Sequence, residues 1–209
     1  MIAIVDYKAG NLTSVLAALH HIGEEGVITS DRDAILAADR VLFPGVGAAG
    51  KAVENLNAAG LVPVLREVVA RGTPFMGICL GYQILFDTSE ENDNTPCLGL
   101  LKGRVVRFPD NLPGLGDRPL KVPHMGWNRT EFSGRHPLWE GVPPNSEFYY
   151  VHSYYVVPAD QAQVAAVSDY GLGFAAGSVY KNLAGFQFHP EKSGRPGLRL
   201  LQNFCSWMP

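Results

Sequence analysis

The first half of the chain alternates short, unbroken apolar runs with longer amphipathic ones. Residues 2–5 (IAIV) read as a strand. Asn11 or Thr13 can cap a helix that continues to about Ile22, where Gly23 ends it. A second strand is expected near Val27–Thr29, and Asp31-Arg32-Asp33 opens a short helix. Val41-Leu42-Phe43 reads as a third strand, stopped by Pro44-Gly45. Helical patterns occupy 50–58 and 61–70, a fourth strand runs from Thr73 to Ile78, and Leu80–Phe86 reads as a helix. Near-continuous apolar strands joined by helices mark a parallel sheet covered on both faces, because a strand buried on both sides has no polar face to alternate with.

Beyond about residue 90 the texture changes. Residues 90–120 are rich in Asn, Pro, Gly and Asp, and form a loop-heavy stretch around one strand at Arg104–Phe108. Closely spaced strands follow at 147–156, 163–168, 173–180 and 183–188. The turn signals between them, Asp169-Tyr170-Gly171 and Lys181-Asn182, favour antiparallel pairing. A last helix at about 196–207 places Leu198, Leu201, Phe204 and Cys205 on one face. The expected architecture is therefore α/β: a doubly wound mixed sheet, mostly parallel in the N-terminal half, with antiparallel C-terminal strands.

Composition narrows the class. A chain of 209 residues, 46% hydrophobic and 18% charged, fits one domain over 1–209 with a core of its own. A net charge of −3 leaves no electrostatic footprint for nucleic acid or anionic membrane. The start lacks the basic and apolar regions of a signal peptide, and no run is long enough for a spanning helix. Three widely spaced cysteines (Cys79, Cys97, Cys205) point to a reducing cytoplasm, not a disulfide framework. No CxxC or HxxxH pair is present, so neither a metal site nor a cofactor is expected.

The chemistry begins at Gly77-Ile78-Cys79-Leu80-Gly81. This spacing is that of a nucleophile elbow with cysteine at the apex. A strand turning sharply into a helix forces the apex residue into an unusual backbone conformation and needs small neighbours. It also lifts the thiol to the carboxyl edge of the sheet, at a helix N-terminus that favours thiolate. A lone GxCxG reads equally well as a small buried core residue. Residues 185–191 (GFQFHPE) decide the matter. His189 ends an apolar strand, and Pro190 fixes a bend that can bring the Glu191 carboxylate to one imidazole nitrogen while the other faces Cys79. His20, His21, His124 and His136 read as surface or loop residues, and His152 as a structural or pocket-wall residue. Leu80 supplies the backbone N–H that follows the nucleophile, the usual oxyanion donor of an elbow. The PGVG turn at 44–47 lacks the lysine of a phosphate loop and is uninformative alone.

PGVG, GICLGYQ and GFQFHPE, in this order and spacing, resemble the triad class of glutamine amidotransferases over essentially the whole chain. Within that class DYKAGNL (6–12), KVPHMGWN (121–128), YYVHSYY (149–155) and HPEKSG (189–194) resemble the glutaminase-subunit family of imidazole glycerol phosphate synthases, in histidine biosynthesis. The resemblance implies L-glutamine as substrate, Cys79, His189 and Glu191 as the triad, and an oxyanion donor at Gly45-Val46 beside Leu80. It implies glutamine contacts at Gly47, Gln83, Ser153 and Tyr154. It also implies a (β/α)8-barrel cyclase subunit as partner, met by Asn11, Trp127, Tyr149 and Lys192. Trp127, between Gly126 and Asn128, reads as a loop residue. Lys8 stands where the family more often has glycine, and Ala48-Ala49-Gly50 where an aromatic is common. The glutaminase of anthranilate or pyridoxal phosphate synthesis, and a cysteine peptidase or thioesterase on a related scaffold, are the alternative readings.

Overall fold

The computed structural model describes residues 1–114 and 119–209. The part of the expected 90–120 loop at 115–118 lies outside the described residues. The N-terminal half contains β1 (Ile2–Val5), α1 (Leu12–His21), β2 (Gly26–Thr29), α2 (Arg32–Leu36), β3 (Arg40–Gly45), α3 (Ala49–Ala58), α4 (Val62–Ala70), β4 (Phe75–Cys79) and α5 (Leu80–Gln83). Then come β5 (Thr88–Ser89), β6 (Thr95–Pro96), β7 (Gly103–Arg107), β8 (His124–Arg129), β9 (Glu131–Phe132), β10 (Glu147–His152), β11 (Tyr154–Pro158), β12 (Val164–Asp169), β13 (Gly173–Tyr180), β14 (Leu183–Phe186) and a C-terminal helix, Gly194–Ser206.

The main sheet runs β2-β1-β3-β4-β14-β13-β11-β7-β5-β6. Its first five strands are parallel, and from β14 to β7 each pair is antiparallel. Alternation along β1 divides the core. Ile2 and Ile4 join Val15, Leu19, Leu201 and Phe204 under α1 and the C-terminal helix. Ala3 and Val5 join Leu56, Leu65 and Val68 under α3 and α4. Each fully buried side chain of this size contributes roughly 1.5–3 kcal/mol, which makes these two layers the main support of the sheet edge that carries the site. On the C-terminal helix Leu201 and Phe204 are buried as expected, together with Leu200, while Leu198 and Cys205 are half-buried.

Four elements differ from the sequence expectation. β3 does not stop before Pro44-Gly45 but includes both. Val41 donates its N–H to Pro74 on the β4 side, so alternation turns position 44 toward β1, whose pairing has already ended at Leu42. A residue with no N–H is harmless there. The helix after Cys79 is four residues long and closes with i→i−3 bonds from Leu85 and Phe86. The run 147–156 is two strands in two sheets: β10 pairs β8, and beyond Ser153 β11 pairs β7 and β13. Finally, Trp127 lies in β8 opposite Tyr149 of β10, not in a loop.

Parallel register explains how distant residues meet. β4 and β14 are neighbours with Ile78 opposite Phe186. The next residues, Cys79 and Gln187, therefore leave the same carboxyl edge side by side. Gln187 still donates to Ala176 of β13, whereas His189 donates its backbone N–H to Tyr149 of β10. The chain thus crosses from the main sheet to the small β8–β10 sheet within two residues.

Candidate active site

Cys79 is the last residue of β4 and sits at φ 54°, ψ −112°. A side chain holds that geometry only where the surroundings force it. Gly81 and Gly77 show the force. A Cβ on Gly81 would lie 1.8 Å from the Phe43 carbonyl oxygen, and one on Gly77 2.8 Å from the Gly81 carbonyl oxygen. The elbow is pressed against β3 at Gly81 and folded back on α5 at Gly77, so tightly that only glycine fits on either side of the apex.

The thiol opens on a cavity of about 280 Å³. Most of the residues expected at the site line it: Val46, Gly47, Cys79, Leu80, Gln83, Ser153, Tyr154 and His189. Gly45 lies behind them, paired with Cys79 in the β3–β4 register. Leu80 opens α5, so its N–H has no acceptor within the helix. Gln83 is buried and donates from Nε2 to the Tyr154 carbonyl at 2.9 Å.

His189 Nδ1 meets Glu191 Oε1 at 2.7 Å, with both side chains almost wholly buried. Asn11 donates its amide to the same carboxylate oxygen. Asn11 holds the N-cap position of α1, but at φ 74° its side chain makes no cap bond and turns to Glu191 instead. The helix-cap expectation does not describe that contact. Nε2 of His189 is buried and makes no well-formed hydrogen bond among the described residues. Burial disfavours the charged imidazole, but the charge of Cys79, a hydrogen-bonding approach to it, and Glu191 outweigh burial and raise the His189 pKa to about 10. The site therefore favours an imidazolium beside the sulfur, held in one orientation by Glu191.

Trp127, Tyr149 and Lys192 form one group beside His189, whose ring centroid lies 6.5 Å from that of Tyr149. Trp127 is 56% exposed and meets Tyr149 edge-on with centroids 6.1 Å apart. The Lys192 ammonium lies 6.0 Å from the Tyr149 ring. Tyr149 joins this group to His189 through its carbonyl, which accepts the backbone N–H of His189 at 2.9 Å.

Sequence reasoning missed three residues here. Glu91 lines the cavity and accepts the Ala49 N–H at the start of α3. Gln187 donates from Nε2 to Cys79 Sγ at 3.7 Å. His124 is no loop residue: it is buried, stacked between Tyr150 and Tyr170, and bonded to His152 at 3.0 Å. The GFQFHPE segment carried the signal for Gln187, since a polar residue inside an apolar strand requires a partner. Among the described residues no group of three His, Cys, Asp or Glu is arranged to hold a metal ion. No helix among them is long and apolar enough to cross a membrane.

A mixed α/β sheet thus carries a strained thiol elbow facing an imidazole–carboxylate pair at the same edge. The family model described as glutamine amidotransferase class-I matches residues 3–207, and the chain belongs to that family. Its relatives are specific. The imidazole glycerol phosphate synthase subunit HisH of Methylococcus capsulatus is 53% identical, over 100% of this chain and 97% of its own. The protein of the same name from Dehalococcoides mccartyi is 48% identical, over 98% and 96%. Solved structures agree in fold. PurLQS from Thermotoga maritima superposes with a TM-score of 0.73 at 18% identity, covering 98% of this chain and 97% of that one. A structure described as a glutamine amidotransferase gives 0.72 at 20% identity, covering 99% and 98%.

Proposed function

We propose that this chain is the glutaminase subunit of an imidazole glycerol phosphate synthase, hydrolysing L-glutamine to glutamate and ammonia. The observation that carries the reading is that Cys79 and His189 line one cavity at the sheet edge, with Glu191 bonded to His189, in a chain about half identical to subunits of that name over its whole length.

The chemistry follows from the positions. Cys79 Sγ attacks the side-chain amide carbon of glutamine. Backbone N–H groups of Leu80 and of the Gly45–Val46 turn face the developing oxyanion. The His189 imidazolium gives its Nε2 proton to the leaving nitrogen, ammonia departs, and a thioester remains. Neutral His189 then takes a proton from water, the hydroxide attacks the thioester, and glutamate leaves with thiolate and imidazolium restored. Glu191 holds Nδ1–H and fixes the tautomer throughout. Gly47, Gln83, Ser153 and Tyr154 hold the substrate, and residues 1–209 work as one domain.

Ammonia released here passes to a (β/α)8-barrel cyclase subunit that forms imidazole glycerol phosphate and AICAR. The exposed Trp127–Tyr149–Lys192 group beside the triad supports that contact, and three free cysteines are in keeping with a cytoplasmic setting. Cys79→Ala should abolish glutamine-dependent synthesis by the two-subunit enzyme while synthesis from supplied ammonia persists. Surviving glutamine-dependent turnover would overturn the nucleophile, and hydrolysis of peptides or acyl thioesters without glutamine hydrolysis would overturn the reaction class.

A further inference from the structure

Gln187 is wholly buried one residue past β14, on the carboxyl edge beside Cys79. Which end of its amide faces the sulfur follows from a chain of contacts that starts at a group with no choice. The Tyr154 carbonyl oxygen can only accept. The Gln83 atom 2.9 Å from it is therefore nitrogen. That same nitrogen lies 2.9 Å from the Gln187 side chain, so the Gln187 atom it meets is oxygen. The remaining end of Gln187, 3.7 Å from Cys79 Sγ, is its NH2 group. Both hydrogens of the Gln83 amide are thereby used, and its Oε1 is the end left for a ligand.

The anchor of this chain is fixed from the other side by two histidines. His152 Nδ1 lies 2.7 Å from the Tyr154 carbonyl, so Nδ1 carries the proton. Burial, with the charge of His124 second, holds the His152 pKa down at about 3, and burial holds that of His124 at about 4. Both rings are neutral at ordinary pH. Neutral His152 then has a bare Nε2, which accepts the Nδ1–H of His124 at 3.0 Å. His124 in turn has a bare Nε2, which accepts from Asn128 at 3.3 Å, and Asn128 is oriented by donating to the Asp169 carbonyl at 2.7 Å. Every proton from β8 to the pocket wall has one place to be.

We propose that Gln187 is a further catalytic residue of this site: its side-chain N–H donates to Cys79 Sγ and stabilises the thiolate. Gln83, the Tyr154 carbonyl and the neutral His124–His152 pair are positioning groups that prevent the Gln187 amide from turning its oxygen to the sulfur. An N–H aimed at sulfur favours its charged form, whereas an oxygen there would repel it. The proposal rests on the glutaminase reading for its catalytic consequence, but the contact itself does not.

The test is Gln187→Met, which keeps the length and loses the donor. Alkylation of Cys79 by iodoacetamide is followed across pH in the full chain, with the Cys79 peptide quantified by mass spectrometry apart from those of Cys97 and Cys205. The lower limb of the rate–pH curve should move up by about one pH unit, with the alkaline plateau unchanged, and kcat/KM for glutamine should fall roughly tenfold. A merely structural role would lower the plateau and leave the limb in place, and that result overturns the proposal. Gln83→Met, which frees the Gln187 amide to turn, gives a second measurement should Gln187→Met not fold. It should move the limb the same way by a smaller amount, and an unmoved limb counts equally against the proposal. If the unsubstituted chain does not hydrolyse glutamine, the glutaminase reading fails while the alkylation limb still reports the Gln187–Cys79 contact, so the two failures are told apart.

Discussion

Asn11 and His189, 178 positions apart in sequence, donate to the same oxygen of Glu191. The carboxylate is thereby fixed by two donors from two segments, the turn before α1 and the end of the β14 segment. Its other oxygen is buried with no partner among the described residues, so rotation of the carboxylate would break both bonds at once.

Asn11→Ala should therefore act through Glu191. A hydrogen bond to a charged group contributes about 1.5–3 kcal/mol, and part of that loss should appear as looser orientation of His189. The expected outcome is a fall in kcat of roughly tenfold with little change in KM. Steady-state glutaminase kinetics of the two-subunit enzyme check it. A change confined to KM would assign Asn11 to binding.

The buried histidines set opposite pH limits. In the unfolded chain a histidine titrates near 6.5. The folded His189 pKa lies above that, at about 10, so its stabilising contribution is complete below about pH 6.5 and is lost as pH rises through about 10. His124 and His152 lie below it, at about 4 and about 3. Their neutral packing therefore weakens stability as pH falls from about 6.5 toward 4. Thermal melts across this range should show Tm falling on both sides of a maximum near neutrality. A profile flat on the acid side would show that the His124–His152 pair is not buried and neutral.

Much of this was legible in the sequence because local chemistry and global fold agreed. The elbow glycines flank an apex that needs them, and HPE follows a strand that register sets beside β4. What stayed hidden has one physical cause: it depends on which distant strand lies next door. The run 147–156 carries no signal for the sheet change at Ser153, since both halves are apolar and aromatic. Trp127 between Gly126 and Asn128 reads as a loop because its strand partner, Tyr149, lies 22 residues on. Asn11 has the residue type of a cap, and only the fold supplies Glu191 as the stronger partner.

The proposed cyclase contact gives Trp127 the role of anchor. It is more than half exposed on β8, next to Met125 at 62%, and burying such a ring at an interface centre contributes about 2 kcal/mol. Trp127→Ala should weaken association with the cyclase subunit roughly thirtyfold while changing the stability of the free chain by less than about 0.5 kcal/mol. Titration calorimetry and a urea melt separate the two. A large loss of stability with unchanged affinity would make Trp127 a packing residue.

Tyr7 poses the reverse case. It is 2% exposed, its ring packs on Phe43 with centroids 5.1 Å apart, and a Cβ on Gly45 would lie 2.2 Å from its hydroxyl. That hydroxyl has no hydrogen-bond partner among the described residues. Burial first, and the charge of Cys79 second, push its ionisation far above the usual tyrosine range, so it stays a neutral donor with nothing to donate to. An unpaired buried hydroxyl costs about 1–3 kcal/mol, and phenylalanine keeps the ring contacts without it. Tyr7→Phe should accordingly raise the unfolding free energy by about 1 kcal/mol, read from the midpoint of a urea melt with an unchanged slope. A fall in stability would mean that the hydroxyl has a partner in solution, and the Gly45 turn against which it packs would be the first place to look for it.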